Sequence, residues 1–155
     1  MSNRKEKIQK RIALMKAKKT MKDLSYVELI NIEEDGSIWL DVIAAPLKQF
    51  RRIGPKSAFI KMMDEHNSTI SWLENEVNFL KEEREWLILV PNSSWPVCVW
   101  ANVKVLDFSK AMTELWEASE NGDLIIASKS SGFIIELLTK DKHFELYIGQ
   151  CDTLI

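Results

Sequence analysis

The chain holds few side chains able to act as a nucleophile, a base or a metal ligand. Its histidines are His66 and His143, and neither belongs to a metal-binding spacing such as HExxH or CxxC, so no metal site is expected. Cys98 and His143 make a nucleophile and its base only in a fold that brings them together. A core thiol and a surface imidazole are favoured instead, and no catalytic residue is expected. Two cysteines, Cys98 and Cys151, are too few for a disulfide scaffold and fit a reducing cytoplasm.

A phosphate-binding loop is not supported either. The segment Gly54-Pro55-Lys56-Ser57 resembles the end of such a loop, but Pro55 separates the glycine from the lysine, and Gln49 occupies the place of the leading glycine. The chain has five glycines and none are clustered, whereas nucleotide sites need close approach of the backbone to phosphates. We therefore expect no cofactor, and binding is favoured over catalysis.

Charge is divided unevenly along the chain. Residues 1–22 contain nine Lys or Arg and one acidic residue, Glu6, which gives a net charge of +8. Because the whole chain carries −2, the remainder carries −10. An acidic body favours basic partners and disfavours nucleic acid, while a basic arm favours the reverse, or a contact with its own body.

The last strand places polar and apolar side chains on opposite faces. His143, Glu145 and Tyr147 share one face, and Glu136 stands in the otherwise apolar strand before it. Two interpretations remain open: a solvent-exposed edge of the sheet, or an acidic and aromatic patch that binds a basic protein. The candidate interface residues are Glu117, Glu120, Asp123, Glu136, Glu145, Tyr147 and Trp39.

The elements that position these residues predict an α+β fold. A helix from Asp107 to Asn121, capped by Asp107 or Ser109 and ended by Gly122, precedes three apolar runs typical of strands. Short links between the runs favour antiparallel hairpins. We predict a mostly antiparallel sheet with helices packed on one face, in a single domain over residues 1–155. The three runs are Leu124–Ala127, Phe133–Leu138 and Phe144–Ile148.

The basic arm predicts an amphipathic helix over residues 3–22. Ile8, Ile12 and Met15 recur on one side, with Ala13 and Ala17 close to it, and this stripe is expected to pack on the domain. An arm that binds nucleic acid or a membrane is the alternative. It is less favoured, because no aromatic side chain interleaves the lysines for base stacking.

Between the arm and the Asp107 helix, Asp35-Gly36 predicts a hairpin that joins strands Tyr26–Glu33 and Ser37–Ala44. Trp39, in the second strand, is either covered or offered to a partner. Further predicted elements are a loop over Pro46–Pro55, a helix from Pro55 through Met63, a helix over Ser71–Arg84 with a capping box of Ser71 and Glu74, and strands at Trp86–Val90, Val97–Trp100 and Val103–Leu106.

The C-terminal part resembles small bacterial immunity proteins, the cytoplasmic antitoxins of polymorphic-toxin and contact-dependent inhibition systems. The segments that carry this resemblance are Leu115–Ser119, Gly122–Ser128, Ser131–Glu136 and Phe144–Ile148. The resemblance implies a non-catalytic protein that binds a cognate toxin domain, often a nuclease, and blocks its active site.

We therefore expect an inhibitor that occludes a toxin through an acidic, aromatic surface. The alternative is a regulatory or scaffold adaptor that binds nucleic acid or protein through residues 1–22. The expected partner is a toxin domain, and nucleic acid is not expected. No membrane partner is expected, because no apolar run reaches the length of a spanning helix. The expected location is the cytoplasm.

Overall fold

The computed structural model describes residues 2–33, 36–53, 59–62, 66–93, 97–119 and 124–150. The first half of the chain forms α1 (Ser2–Asp23), β1 (Val27–Ile32), α2 (Ile38–Ile53), β2 (Phe59–Met62), α3 (His66–Glu76) and a 3₁₀ helix (Asn78–Glu82). The second half forms β3 (Glu85–Leu89), β4 (Trp100–Val105), α4 (Phe108–Ala118), β5 (Leu124–Ala127), β6 (Phe133–Thr139) and β7 (His143–Gln150).

All the strands listed above belong to one antiparallel sheet, in the order β1-β4-β3-β5-β6-β7-β2. The predicted α+β class and the antiparallel sheet are confirmed. The two predicted hairpins that join β5 to β6 and β6 to β7 are also confirmed. β2 was not predicted as a strand, and it pairs with β7 at one edge of the sheet.

Helices cover both faces of the sheet, so the prediction of helices on a single face is corrected. On the first face, α1, α3 and α4 pack against alternate strand residues such as Ile88 and Ile126. On the second face, α2 packs against the other alternate residues, including Ile125 and Ile134. The reason is that the central strands are apolar on both sides, and each apolar face must be covered.

The segment predicted as the second strand of a hairpin is the helix α2. Gly36 has the positive φ of 77° that the Asp-Gly signal requires, but Asp35 lies outside the described residues. The Ser37 hydroxyl accepts a hydrogen bond from the backbone N–H of Trp39 at 3.1 Å, which caps the helix. Ile43, Leu47 and Phe50 then recur at helical spacing and are buried. Burial of this stripe outweighs the hairpin signal.

Three other elements in this region differ from their predictions. The predicted loop from Pro46 is the second half of α2, with Pro46 inside the helix. The segment predicted as a helix through Met63 contains the strand β2. α3 begins at His66, so Ser71 lies inside the helix and caps nothing.

The C-terminal predictions hold more closely. Asp107 caps α4 by accepting a hydrogen bond from the Lys110 N–H at 3.0 Å. The predicted strand at Trp86–Val90 is β3. In place of the two short strands predicted at Val97–Trp100 and Val103–Leu106 there is one strand, β4, which begins at Trp100 and ends at Val105.

The basic arm is a helix as predicted, but its apolar stripe does not pack on the domain. Ile8, Ile12 and Met15 are 51%, 47% and 66% exposed. Ala17, which was expected near this stripe, lies on the other side with Met21, and both are buried in the core. Within the described residues, no helix combines the length and the apolar composition needed to cross a bilayer.

Candidate functional site

Glu145 and Tyr147 lie on the second face of β7 and are buried rather than exposed to solvent. Their exposed fractions are 3% and 4%. The Tyr147 hydroxyl donates to Glu145 Oε1 at 2.9 Å, and His143 Nε2 lies 2.8 Å from Glu145 Oε2. The ring of Phe50, from α2, stacks on the Tyr147 ring with centroids 5.5 Å apart. Helix α2, which the sequence did not predict, therefore covers the strand face that was expected to be wet.

Glu136 belongs to the same buried group. It pairs with Tyr147 in the register of β6 and β7 and is 3% exposed. Burial raises the pKa of Tyr147 to about 12, helped by its hydrogen bond to Glu145 and by the negative charges of Glu145 and Glu136. The phenol is therefore held in its neutral form.

The Glu145 carboxyl has the opposite shift. Burial alone would raise its pKa, but hydrogen bonds from His143 and Tyr147 and the positive charge of Lys140 outweigh burial, so the pKa lies below its ordinary value. The carboxylate lies between the imidazole of His143 and the neutral phenol of Tyr147, whose ring stacks on Phe50 of α2. The structure thus brings Glu136, Glu145 and Tyr147 together, but beneath a helix and not on a surface.

Trp39 lies half-buried at the start of α2, on the rim of a second polar group. The Lys129 ammonium lies 4.7 Å from the centroid of the Trp39 ring and 3.3 Å from a Glu33 oxygen. Glu33 also accepts hydrogen bonds from Ser37 Oγ and Asn102 Nδ2, both at 2.5 Å. These contacts join the end of β1, the start of α2 and β4.

Glu33 connects several elements through its hydrogen bonds, and it was not singled out from the sequence. Burial alone would raise the pKa of Glu33, but the hydrogen bonds from Ser37, Asn102 and Lys129 outweigh this effect. The pKa therefore lies below its ordinary value. A cavity of about 330 Å³ lies beside Glu33 and Asn102 on the open part of the second face. No spacing in the sequence points to this group, because its members come from four separate elements.

Glu117 lies in α4, on the first face, and is exposed. It lines an open depression of about 330 Å³ that we call the α3–α4 groove, defined by Tyr26, Glu74, Lys110, Glu114 and Glu117. α4, which carries Glu117, packs on the first face of the sheet, whereas the Glu145 group lies on the second face, which α2 covers. Glu117 and the Glu145 group therefore lie on opposite faces. Two further candidates, Glu120 and Asp123, lie outside the described residues.

The α3–α4 groove has a fixed geometry. The Glu114 carboxylate accepts hydrogen bonds from the backbone N–H groups of Ser25 and Tyr26, at 2.8 to 3.0 Å. The Lys110 ammonium lies 5.3 Å from the centroid of the Tyr26 ring. Ser109 Oγ donates to Glu74 Oε2 at 3.2 Å. Three carboxylates around one aromatic ring form an acidic surface able to bind cations on a partner.

The geometry does not assemble the catalytic pair weighed from the sequence. Cys98 is exposed, so the expectation of a core thiol is corrected. It lies two residues before β4, and His143 begins β7, four positions further along the sheet. At about 4.8 Å per strand, these positions are separated by roughly 19 Å. Among the described residues, no three His, Cys, Asp or Glu side chains lie close enough to hold a metal ion.

The fold and the site define an α+β protein with polar groups around Glu145 and Glu33 on one face of its sheet and the open α3–α4 groove on the other. Comparisons with models of protein families, with curated proteins and with solved structures found no match. The function is therefore inferred from the side chains of this chain.

Proposed function

We propose that this protein is an immunity-type inhibitor that binds a cognate toxin domain and occludes its active site. The observation that carries the proposal is the α3–α4 groove, where Glu74, Glu114 and Glu117 line one open depression with Lys110 and the half-buried Tyr26. Nuclease toxins bind polyanionic substrates in positively charged clefts, and an acidic surface competes for such a cleft.

The proposed interface differs from the patch expected from the sequence. Glu136, Glu145 and Tyr147 are buried, so they support the fold and do not contact a partner directly. Glu117 keeps its predicted role and gains Glu74, Glu114 and Tyr26 as neighbours. Tyr26 supplies an aromatic anchor of the kind that dominates interface energies.

The test is co-expression with the toxin domain encoded next to this protein's gene. We expect protection of the cells and a stable complex with the purified toxin domain. The variant Glu74→Lys/Glu117→Lys should slow association roughly tenfold or more, because reversed charges repel the basic cleft. Glu114 is left unchanged, since its carboxylate holds the backbone of Ser25 and Tyr26.

The matched control is Glu82→Lys/Asp141→Lys, which makes the same charge change at exposed positions outside the groove. Equal slowing by both variants would assign the effect to net charge and refute the groove as the interface. A toxin domain that neither binds nor is neutralised would refute the inhibitor.

The second candidate is an adaptor that acts through α1. It is supported by the exposure of the whole first part of this helix, over residues 4–12. If this candidate is right, the intact protein binds DNA or RNA at low salt, and the affinity falls steeply as salt is raised.

A further inference from the structure

The outer face of α1 combines apolar and basic side chains in one arrangement. At about 100° per residue, the stripe of Ile8, Ile12 and Met15 lies roughly opposite the buried Ala17. Ile8 and Met15 therefore point away from the body, while Ile12, at the margin of the stripe, also lines the cavity between α1 and Pro91–Ser93. The side chains of the stripe are about half exposed or more, which places three large apolar groups in water.

Basic side chains lie on both sides of this stripe, and Lys19 lies within it. The five that lie within about 70° of its centre are Arg4, Lys5, Arg11, Lys19 and Lys22, and each is exposed. Glu6 lies on the opposite side, and Asp23, the one acidic residue near the stripe, is the last residue of the helix. We call this surface the outer face of α1.

We propose that the outer face of α1 binds the surface of an anionic lipid bilayer. In that position the apolar stripe enters the boundary between headgroups and acyl chains, while the long Lys and Arg side chains reach the lipid phosphates. Four to eight cations on an amphipathic helix are typical of binding to anionic lipid. Nucleic acid satisfies the cations equally well but leaves Ile8, Ile12 and Met15 in water.

The acidic body does not oppose this contact. It packs on the other side of α1, at Ala17 and Met21, so a helix diameter of about 10 Å separates it from the lipid. The Debye length is about 8 Å at physiological salt, so most of the repulsion is screened. No membrane partner was expected from the sequence, because no apolar run is long enough to span a bilayer. Binding at the bilayer surface needs no spanning segment.

The test uses the full chain and flotation with vesicles. We expect weak, reversible binding to phosphatidylcholine vesicles that contain phosphatidylglycerol, no binding to phosphatidylcholine alone, and loss of binding as salt is raised. The variant Arg11→Glu/Lys19→Glu should weaken partitioning about thirtyfold or more. Its matched control, Lys48→Glu/Lys142→Glu, makes the same charge change at exposed positions away from α1 and should bind normally.

A second variant separates lipid from other partners. Ile8→Gln/Ile12→Gln/Met15→Gln keeps the charges and the helix propensity, and it alters only exposed side chains, so the melting temperature should not change. Loss of vesicle binding in this variant is expected. Unchanged vesicle binding, or binding to a DNA or RNA oligonucleotide in place of vesicles, would overturn the proposal, as would a dimer in solution that dissociates on this substitution. None of these outcomes depends on a toxin.

Discussion

At the residue scale, the hydroxyl of Tyr147 holds the buried carboxylate of Glu145. In Tyr147→Phe this donor is lost, and a buried Glu145 oxygen loses a hydrogen bond. We expect the free energy of unfolding in urea to fall by about 1 to 3 kcal/mol. The control is Tyr26→Phe, whose hydroxyl has no hydrogen bond within the described residues and which should change stability by less than about 0.5 kcal/mol. Equal losses in both variants would contradict this role of Tyr147.

The same residue predicts how stability depends on pH in alkaline solution. The pKa of Tyr147 is raised from 10.0 to about 12 in the folded protein, so the unfolded chain loses this proton first. Stability from this group is complete below pH 10 and is lost as pH rises to about 12. Ultraviolet titration of the wild type should show a tyrosine ionisation near pH 12 that is lost in Tyr147→Phe. A wild-type titration that lacks this ionisation near pH 12 would contradict the shift.

At the element scale, the position of α2 depends on the missing side chain of Gly149. A Cβ atom at this position would lie 2.8 Å from two carbon atoms of the Phe50 ring. Gly149→Ala should therefore push α2 off β7 and cost about 1 to 3 kcal/mol in urea unfolding. In Gly149→Ala/Phe50→Leu the smaller side chain makes room, so the double variant should lose less than the sum of the two single losses. Additive losses would show that this close contact does not set the position of α2.

The helices α4 and α2 show where prediction from the sequence succeeded and where it failed. α4 and the strands after it were predictable because a cap, an apolar stripe and short links all agree. α2 was not, because Asp35-Gly36 is a strong local hairpin signal, while the competing spacing of Ile43, Leu47 and Phe50 matters only when a sheet face needs cover. The burial of Glu145 could not be predicted for the same reason. The face of β7 that carries Glu145 is covered by α2, whose first part was predicted as a strand.

At the scale of the whole molecule, α1 has two halves with different roles. Residues 4–12 are exposed, whereas Ala17 and Met21 belong to the core. Deletion of residues 2–11 should shift the melting temperature by less than about 2 °C. Deletion of residues 2–22 should cost about 3 kcal/mol or more, because it opens a cavity in the core. Calorimetry on both proteins checks this, and a large loss in the shorter deletion would contradict it.

The pairing of β2 with β7 has a consequence for synthesis. Phe59 pairs with Leu146, and most of the strands on which α2 rests, from β5 to β7, begin only at Leu124. On the ribosome, Ile43, Leu47 and Phe50 therefore emerge long before the surface that buries them. The apolar residues of α2 therefore stay exposed on the nascent chain until translation is almost complete. A chaperone that binds apolar segments would act during this interval.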